Sequence, residues 1–231
     1  MNQNYYTKLT TTLRSHSNLE NKLPMEKYMK NHFPFLGIKA PELKALVKTF
    51  FQEEGKPDVH TLQDIVLSLW SEPEREFQYV AIQILVANKK KLTIEAIPLL
   101  EKMVVEKSWW DTVDLIASNL IGYLLIQNEE AIEAYTEKWI NSDNMWLNRT
   151  ALLYQLKYKE KTDVTRLFHY IGLMRHSKEF FIQKAIGWAL REYSKTDPAI
   201  VETYINETNL APLSVREGLK IIRKKTVKDR F

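Results

Sequence analysis

The sequence predicts an all-α fold, a solenoid built from antiparallel helix pairs. Three observations predict it. Apolar residues recur at helical rather than strand spacing along nearly the whole chain. Only 6 glycines and 8 prolines interrupt 231 residues. An aromatic near the start of a helix recurs at Phe77, Trp110, Trp146 and Phe181, at intervals of 33 to 36 residues. Helix pairs repeating at that spacing stack into solenoids.

The elements follow in order. A first helix is expected over 5–15 and a second over 24–32, carrying Tyr28 and Lys30. The segment F-P-F-L-G-I-K-A-P then marks a turn, and Pro41 suits the first turn of a helix over 41–53. Further helices are expected over 61–71, 74–89, 93–106, 109–127, 129–140, 145–158, 163–175, 178–194, 198–206 and 212–226. The connections are short, which makes neighbours antiparallel. Asn88–Lys91 reads as a turn rather than a linker, so one domain over 1–231 is expected.

Composition narrows the function classes. Lys and Arg number 33 against 29 for Asp and Glu, a net charge of +4, which suits a polyanionic partner. There is no cysteine, which removes disulfides, thiol nucleophiles and Cys-ligated zinc and suits a reducing cytoplasm. The opening stretch, M-N-Q-N-Y-Y-T-K-L-T, lacks the apolar run of a secretion signal. No window has the apolar length that spans a bilayer, so a cytoplasmic protein without a membrane partner is expected. His16, His32, His60, His169 and His176 show no metal-ligand spacing. The glycines form no phosphate-cradling loop.

Comparing the repeats with one another isolates a candidate site. Four residues past each aromatic stand Ala81, Asp114, Thr150 and Ala185, three small side chains and one carboxylate. Three residues past stand Val80, Val113, Arg149 and Lys184, with Arg216 in a fainter fifth copy. Stacked repeats would line these cations along one surface beside Asp114. In the fourth copy Phe181, Lys184, Trp188 and Arg191 share an arc. The apolar bulk of that helix (Ile182, Ala185, Ile186, Ala189, Leu190) points elsewhere, which places Trp188 on the border of core and basic face.

The stretch K-S-W-W-D-T-V-D from Lys107 carries the chemistry. Trp110 and Asp114 are four apart and share a helix face. Asp114 has two readings: a structural acid, held by the helix dipole or paired with Arg149 across repeats, or a site carboxylate under tension between burial and a cation. Trp110 and Trp188 read as core or as ligand-facing aromatics. Trp70, Trp109 and Trp139 are assigned to the core. A carboxylate can stabilise a developing oxocarbenium ion and orient water, indole faces attract cations, and cationic side chains hold phosphates. Together they suit hydrolysis of an N-glycosidic bond in DNA whose base is already cationic and needs no general acid. The alternative is a helical-repeat module that binds distorted DNA or a protein without cutting.

Long segments resemble one family, the HEAT-like-repeat DNA alkylation repair glycosylases of the AlkD type. They are Y-M-K-N-H-F-P-F-L-G-I from Tyr28, P-E-R-E-F-Q from Pro73, K-S-W-W-D-T-V-D from Lys107, K-W-I-N-S-D-N-M-W-L-N-R from Lys138, and H-S-K-E-F-F-I-Q-K-A-I-G-W-A-L-R-E-Y from His176. The resemblance implies a C-shaped solenoid of HEAT-like helix pairs whose basic concave face grips duplex DNA. It implies monofunctional excision of cationic N3- and N7-alkylated purines by a monomer, with no metal or organic cofactor, leaving the lesion stacked rather than flipped. It places the family's catalytic aspartate on Asp114, its cleft tryptophans on Trp110 and Trp188, its cleft tyrosine on Tyr28, and its DNA-contacting arginines on Arg149 and Arg191. Lys184 and Arg216 join the DNA-binding set from the repeat comparison.

Overall fold

The computed structural model describes residues 2–228, and among them it is all helical, with no strand. The helices are α1 (Asn2–Ser15), α2 (Leu19–Tyr28), α3 (Ala40–Glu54), α4 (Val59–Ser71) and α5 (Arg75–Asn88). They continue as α6 (Ile97–Val105), α7 (Trp110–Ile116), α8 (Gly122–Leu125), α9 (Glu129–Ile140) and α10 (Met145–Leu153). The last are α11 (Val164–Met174), α12 (Phe180–Tyr193), α13 (Pro198–Glu207), α14 (Pro212–Gly218) and α15 (Lys220–Lys228). None of them is long and apolar enough to cross a membrane.

Local chemistry sets the helix ends. The side chains of Asn18, Asp58, Asn144, Asp163 and Asp197 each accept a backbone N–H of the helix they open, satisfying a donor that the helix cannot satisfy itself. Prolines open α3, α6, α13 and α14, where a missing N–H costs nothing. Several expected spans shift, and the one over 145–158 ends already at Leu153. α2 starts at Leu19, not at Pro24, because Asn18 caps it and Pro24 is carried inside. It stops at Tyr28, before Lys30 and Asn31 turn left-handed at φ 54° and 57°. The helix expected over 212–226 is broken at Leu219 into α14 and α15.

The chain forms two compact units, Met1–Thr93 and Ile94–Phe231. In the first, α4 packs on α5 and α1, around Leu9, Leu13, Val66, Leu69 and Phe77. Its centre is Glu76, fully buried, whose carboxylate accepts the backbone N–H groups of Leu36, Gly37 and Ile38 at 2.9, 2.9 and 3.1 Å. Gly37 has φ +92°, and a Cβ there would meet the Asn18 carbonyl oxygen at 1.9 Å. Arg75 is equally buried, with its guanidinium 3.8 Å from the Phe33 ring centroid. The F-P-F-L-G-I and P-E-R-E-F-Q segments are therefore one structural knot.

In the second unit the repeat is explicit. α6 pairs with α7 and α9 with α10, while α7, α10, α12 and α14 pack side by side. A side-chain amide ties the helices before α5, α10 and α12 to them, while α7 carries Val113 at the equivalent position. Asn148 in α10 donates to the carbonyls of Trp139, Ile140 and Ser142 at the end of α9. In the first unit Gln78 in α5 does the same to Leu69, Trp70 and Glu72, at identical offsets. Gln183 in α12 donates to Ser177.

These amides correct the register read from aromatics. α5, α7, α10 and α12 begin at Arg75, Trp110, Met145 and Phe180, each 35 residues after the last. Phe77 is thus the third residue of its helix, Trp110 the first, and Trp146 and Phe181 the second. The fifth position of each helix reads Tyr79, Asp114, Arg149 and Lys184, and in α14 it reads Arg216. Asp114 does not stand where the other repeats keep something small. It occupies the slot that carries a cation in the repeats after it.

Candidate active site

Residues 106–109 end α6 and turn the chain into α7. Lys107 is left-handed at φ 50°, and Ser108 donates its hydroxyl to the Val104 carbonyl at 2.7 Å. Trp110 then opens α7, with Asp111 in the first turn and Asp114 one turn further on. Beyond Asp114 the helix widens into a π segment, Ala117–Ile121, before α8. The Ser118 hydroxyl bonds the Asp114 carbonyl at 2.7 Å. A Cβ on Gly122 would meet the Tyr154 carbonyl oxygen at 2.1 Å, so the helix passes close against the end of α10. Wider turns of this kind are rare and mark functional segments often. The single helix expected over 109–127 contained no sign of it.

Asp114 reaches the repeat that follows. Its two oxygens accept from Arg149 Nε at 2.7 Å and Nη2 at 2.8 Å, a bidentate pair. Arg149 also donates Nη1–H to the Phe181 carbonyl. Asp114 is 8% exposed and Arg149 4%. Burial pushes the Asp114 carboxyl up, and the Arg149 hydrogen bonds and charge pull it back toward the ionised form. Behind the pair, Trp109, Trp146 and Phe181 pack as an aromatic cluster with centroids 5.0 to 5.8 Å apart. Trp109 thus belongs to the support of the pair, while Trp70 and Trp139 are buried core.

The pair is interior without being sealed. A cavity of about 340 Å³ is lined by Trp110, Asp114, Arg149, Phe180, Phe181, Lys184, Trp188, Arg191 and Glu217. It gathers six of the eight residues singled out from the sequence: Asp114, Trp110, Trp188, Arg149, Lys184 and Arg191. Arg216 is exposed and outside the lining. Tyr28 belongs to the other unit, at the end of α2, and is 70% exposed.

Three lining residues were not among the expected site residues, although Phe181 was read as a repeat anchor. Phe180 and Phe181 open α12, Phe180 largely exposed. Glu217 comes from α14 and accepts from Lys184 Nζ at 3.0 Å and from Arg191 Nη1 at 2.8 Å. Its hydrogen bond to Lys184 holds its carboxyl below the ordinary range. The expected basic stripe is therefore largely paired: Arg149 with Asp114, Lys184 and Arg191 with Glu217. The five charged lining residues sum to +1, from three cations and two carboxylates. Among the described residues no group of three or more His, Asp or Glu side chains could hold a metal ion.

The comparisons agree on one family. The family model for DNA alkylation repair enzymes matches residues 9–222. A solved structure, a predicted DNA alkylation repair enzyme from Enterococcus faecalis, is similar with 38% identity over 88% of this chain and 95% of that one, at a TM-score of 0.82. No curated protein matches the chain significantly.

Proposed function

This chain belongs to the DNA alkylation repair enzyme family, and on that premise we propose that it is a monofunctional DNA glycosylase. Its substrates are positively charged N3- and N7-alkylated purines in duplex DNA. One observation carries the reading: a carboxylate fixed by a bidentate arginine still faces a cavity walled by two indoles.

The reaction breaks the bond between C1′ and the purine nitrogen. The bonding electrons leave with the purine and cancel its positive charge, so no acid is needed to protonate the leaving group. The sugar is left cationic at C1′. Asp114 stabilises that charge and orients a water, whose oxygen adds to C1′ while its proton passes to the carboxylate or to solvent. Trp110 and Trp188 offer the lesion nucleotide apolar faces that attract cationic groups. The lesion stays stacked, with the indoles against its sugar-phosphate edge rather than around its base, which avoids the few kcal/mol that flipping costs.

Arg149 keeps Asp114 in one orientation. A guanidinium carries five N–H donors, three of which make the bonds already described, so two remain for a phosphate at the cavity wall. Lys184 and Arg191 hold phosphates more directly, since their side chains are 37% and 25% exposed. Arg216 adds a further phosphate contact, and the family resemblance assigns a duplex contact to Tyr28 on the first unit.

The buried ion pair also favours a second reading, in which Asp114 only ties α7 to α10 and the protein binds DNA without cutting. Asp114→Asn decides between them on duplex DNA containing 7-methylguanine. The glycosylase requires base release to fall by orders of magnitude while duplex binding persists. Equal release by variant and wild type would leave only the binding module.

A further inference from the structure

Glu217 is a negative charge placed in a cleft that must receive a polyanion. Its position is built rather than incidental. α14 lies against α12 because Gly187 lets it: a Cβ there would meet Glu217 Cβ at 2.5 Å and the Ser214 carbonyl oxygen at 2.9 Å. Ser214 fastens the contact by donating its hydroxyl to the Gln183 carbonyl at 2.9 Å. Lys184, Gly187 and Arg191 follow at i, i+3 and i+7, so they share one helix face. The Glu217 carboxylate enters over the glycine and takes a cation on each side.

We propose that Glu217 is a built-in competitor for the DNA phosphate, occupying in the free protein the place between Lys184 and Arg191 that a backbone phosphate takes in the complex. A carboxylate and a phosphate oxygen make the same charge-assisted hydrogen bonds to ammonium and guanidinium groups. The two cations keep part of their surface in solvent, so a phosphate can approach them from the cleft side. Exchange exposes the Glu217 carboxylate to the incoming duplex, and its repulsion subtracts from the grip. Glu217 thus tunes affinity rather than sequence or lesion choice. It weakens the hold on every duplex by the same competition, and so lets the abasic product go.

This rests on the reading that the cleft takes duplex DNA, and the experiment separates the two claims. Equilibrium binding of an undamaged duplex is measured over a salt series for wild type, Glu217→Gln and Gly187→Ala. Glu217→Gln should bind several-fold more tightly at low salt. The plot of log K against log salt should steepen by about one unit, since each phosphate neutralised contributes roughly −0.9. Gly187→Ala should tighten binding too, because its methyl group pushes α14, and Glu217 with it, away from Lys184 and Arg191. Burst kinetics on 7-methylguanine DNA should show the tighter variants releasing product more slowly, which a merely structural role would not produce. If both variants bind no more tightly than wild type, with parallel salt slopes, the inference is overturned. If wild type itself fails to bind duplex, the DNA reading of the cleft falls with it.

Discussion

Glu76 and Asp114 are both buried carboxylates on the second helix of a repeat, and they are satisfied in opposite ways. Glu76 spends its oxygens on three backbone N–H groups of one loop and is wholly out of solvent. Asp114 is held by a single side chain, Arg149, and one side of it is open to a cavity. Backbone donors cannot leave, and they fix a loop. A side-chain donor orients the carboxylate while leaving lone pairs for something that arrives. The difference separates a carboxylate that stabilises the fold from one that is available for chemistry.

The largest expected effect breaks this contrast at the site. Asp114→Asn should reduce base release by at least about 100-fold, within the usual range for losing a positioned acid–base group. Because burial raises the Asp114 carboxyl, the wild-type rate enhancement should decline on the acid side at a pH above the ordinary aspartate range. That limb should be missing from the variant's pH profile.

Next comes the partner. Arg149→Met leaves Asp114 buried and uncompensated and should cost about 3 to 5 kcal/mol in urea unfolding. Adding Asp114→Leu to Arg149→Met should return most of that stability, since apolar replacement of both members is often neutral, yet restore no activity. A double variant as unstable as the single one would show that the pair matters to the fold beyond its charge balance.

Glu76→Gln sharpens the other side. It turns an amide NH₂ toward backbone donors and should lower stability by about 1 to 3 kcal/mol. Base release per folded molecule should stay at the wild-type rate. A lowered rate at full folding would mean that the knot in the first unit serves the reaction too.

The smallest effect concerns Glu217. Its folded carboxyl lies below the ordinary range, because Lys184 and Arg191 favour its charged form. Its contribution to stability is therefore present above the unfolded carboxylate range and is lost as pH falls through the folded value. The difference in thermal midpoint between wild type and Glu217→Gln should shrink toward zero on acidification. A difference that grew instead would place the carboxylate in some other role.

The helices were readable because apolar spacing and first-turn prolines act within one helix, whereas the Asn18 cap that starts α2 was not read. The repeat was readable for the same reason, but its register was not. Phe77, Trp110, Trp146 and Phe181 are large aromatics at different positions of their helices, and the amides Gln78, Asn148 and Gln183 are the better markers. They cap the preceding helix at a fixed offset, so they report structure rather than bulk. Asp114, Trp110, Trp188 and the cations were recognisable as residues that a simple amphipathic helix does not explain. Glu217 was not, since a carboxylate near the end of a short helix looks like any solvated acid.

Residue order alone determined the all-helical fold, the period of the stack and the helix face on which Trp110 and Asp114 sit. These follow from backbone hydrogen bonding and side-chain periodicity, which extend over a few residues. Only the tertiary structure decided that Asp114 is clasped by Arg149 and remains open to a cavity, and that Glu217 lies between Lys184 and Arg191. Such pairings depend on how closely neighbouring helices approach. A missing Cβ at Gly187 sets that distance for the last of them.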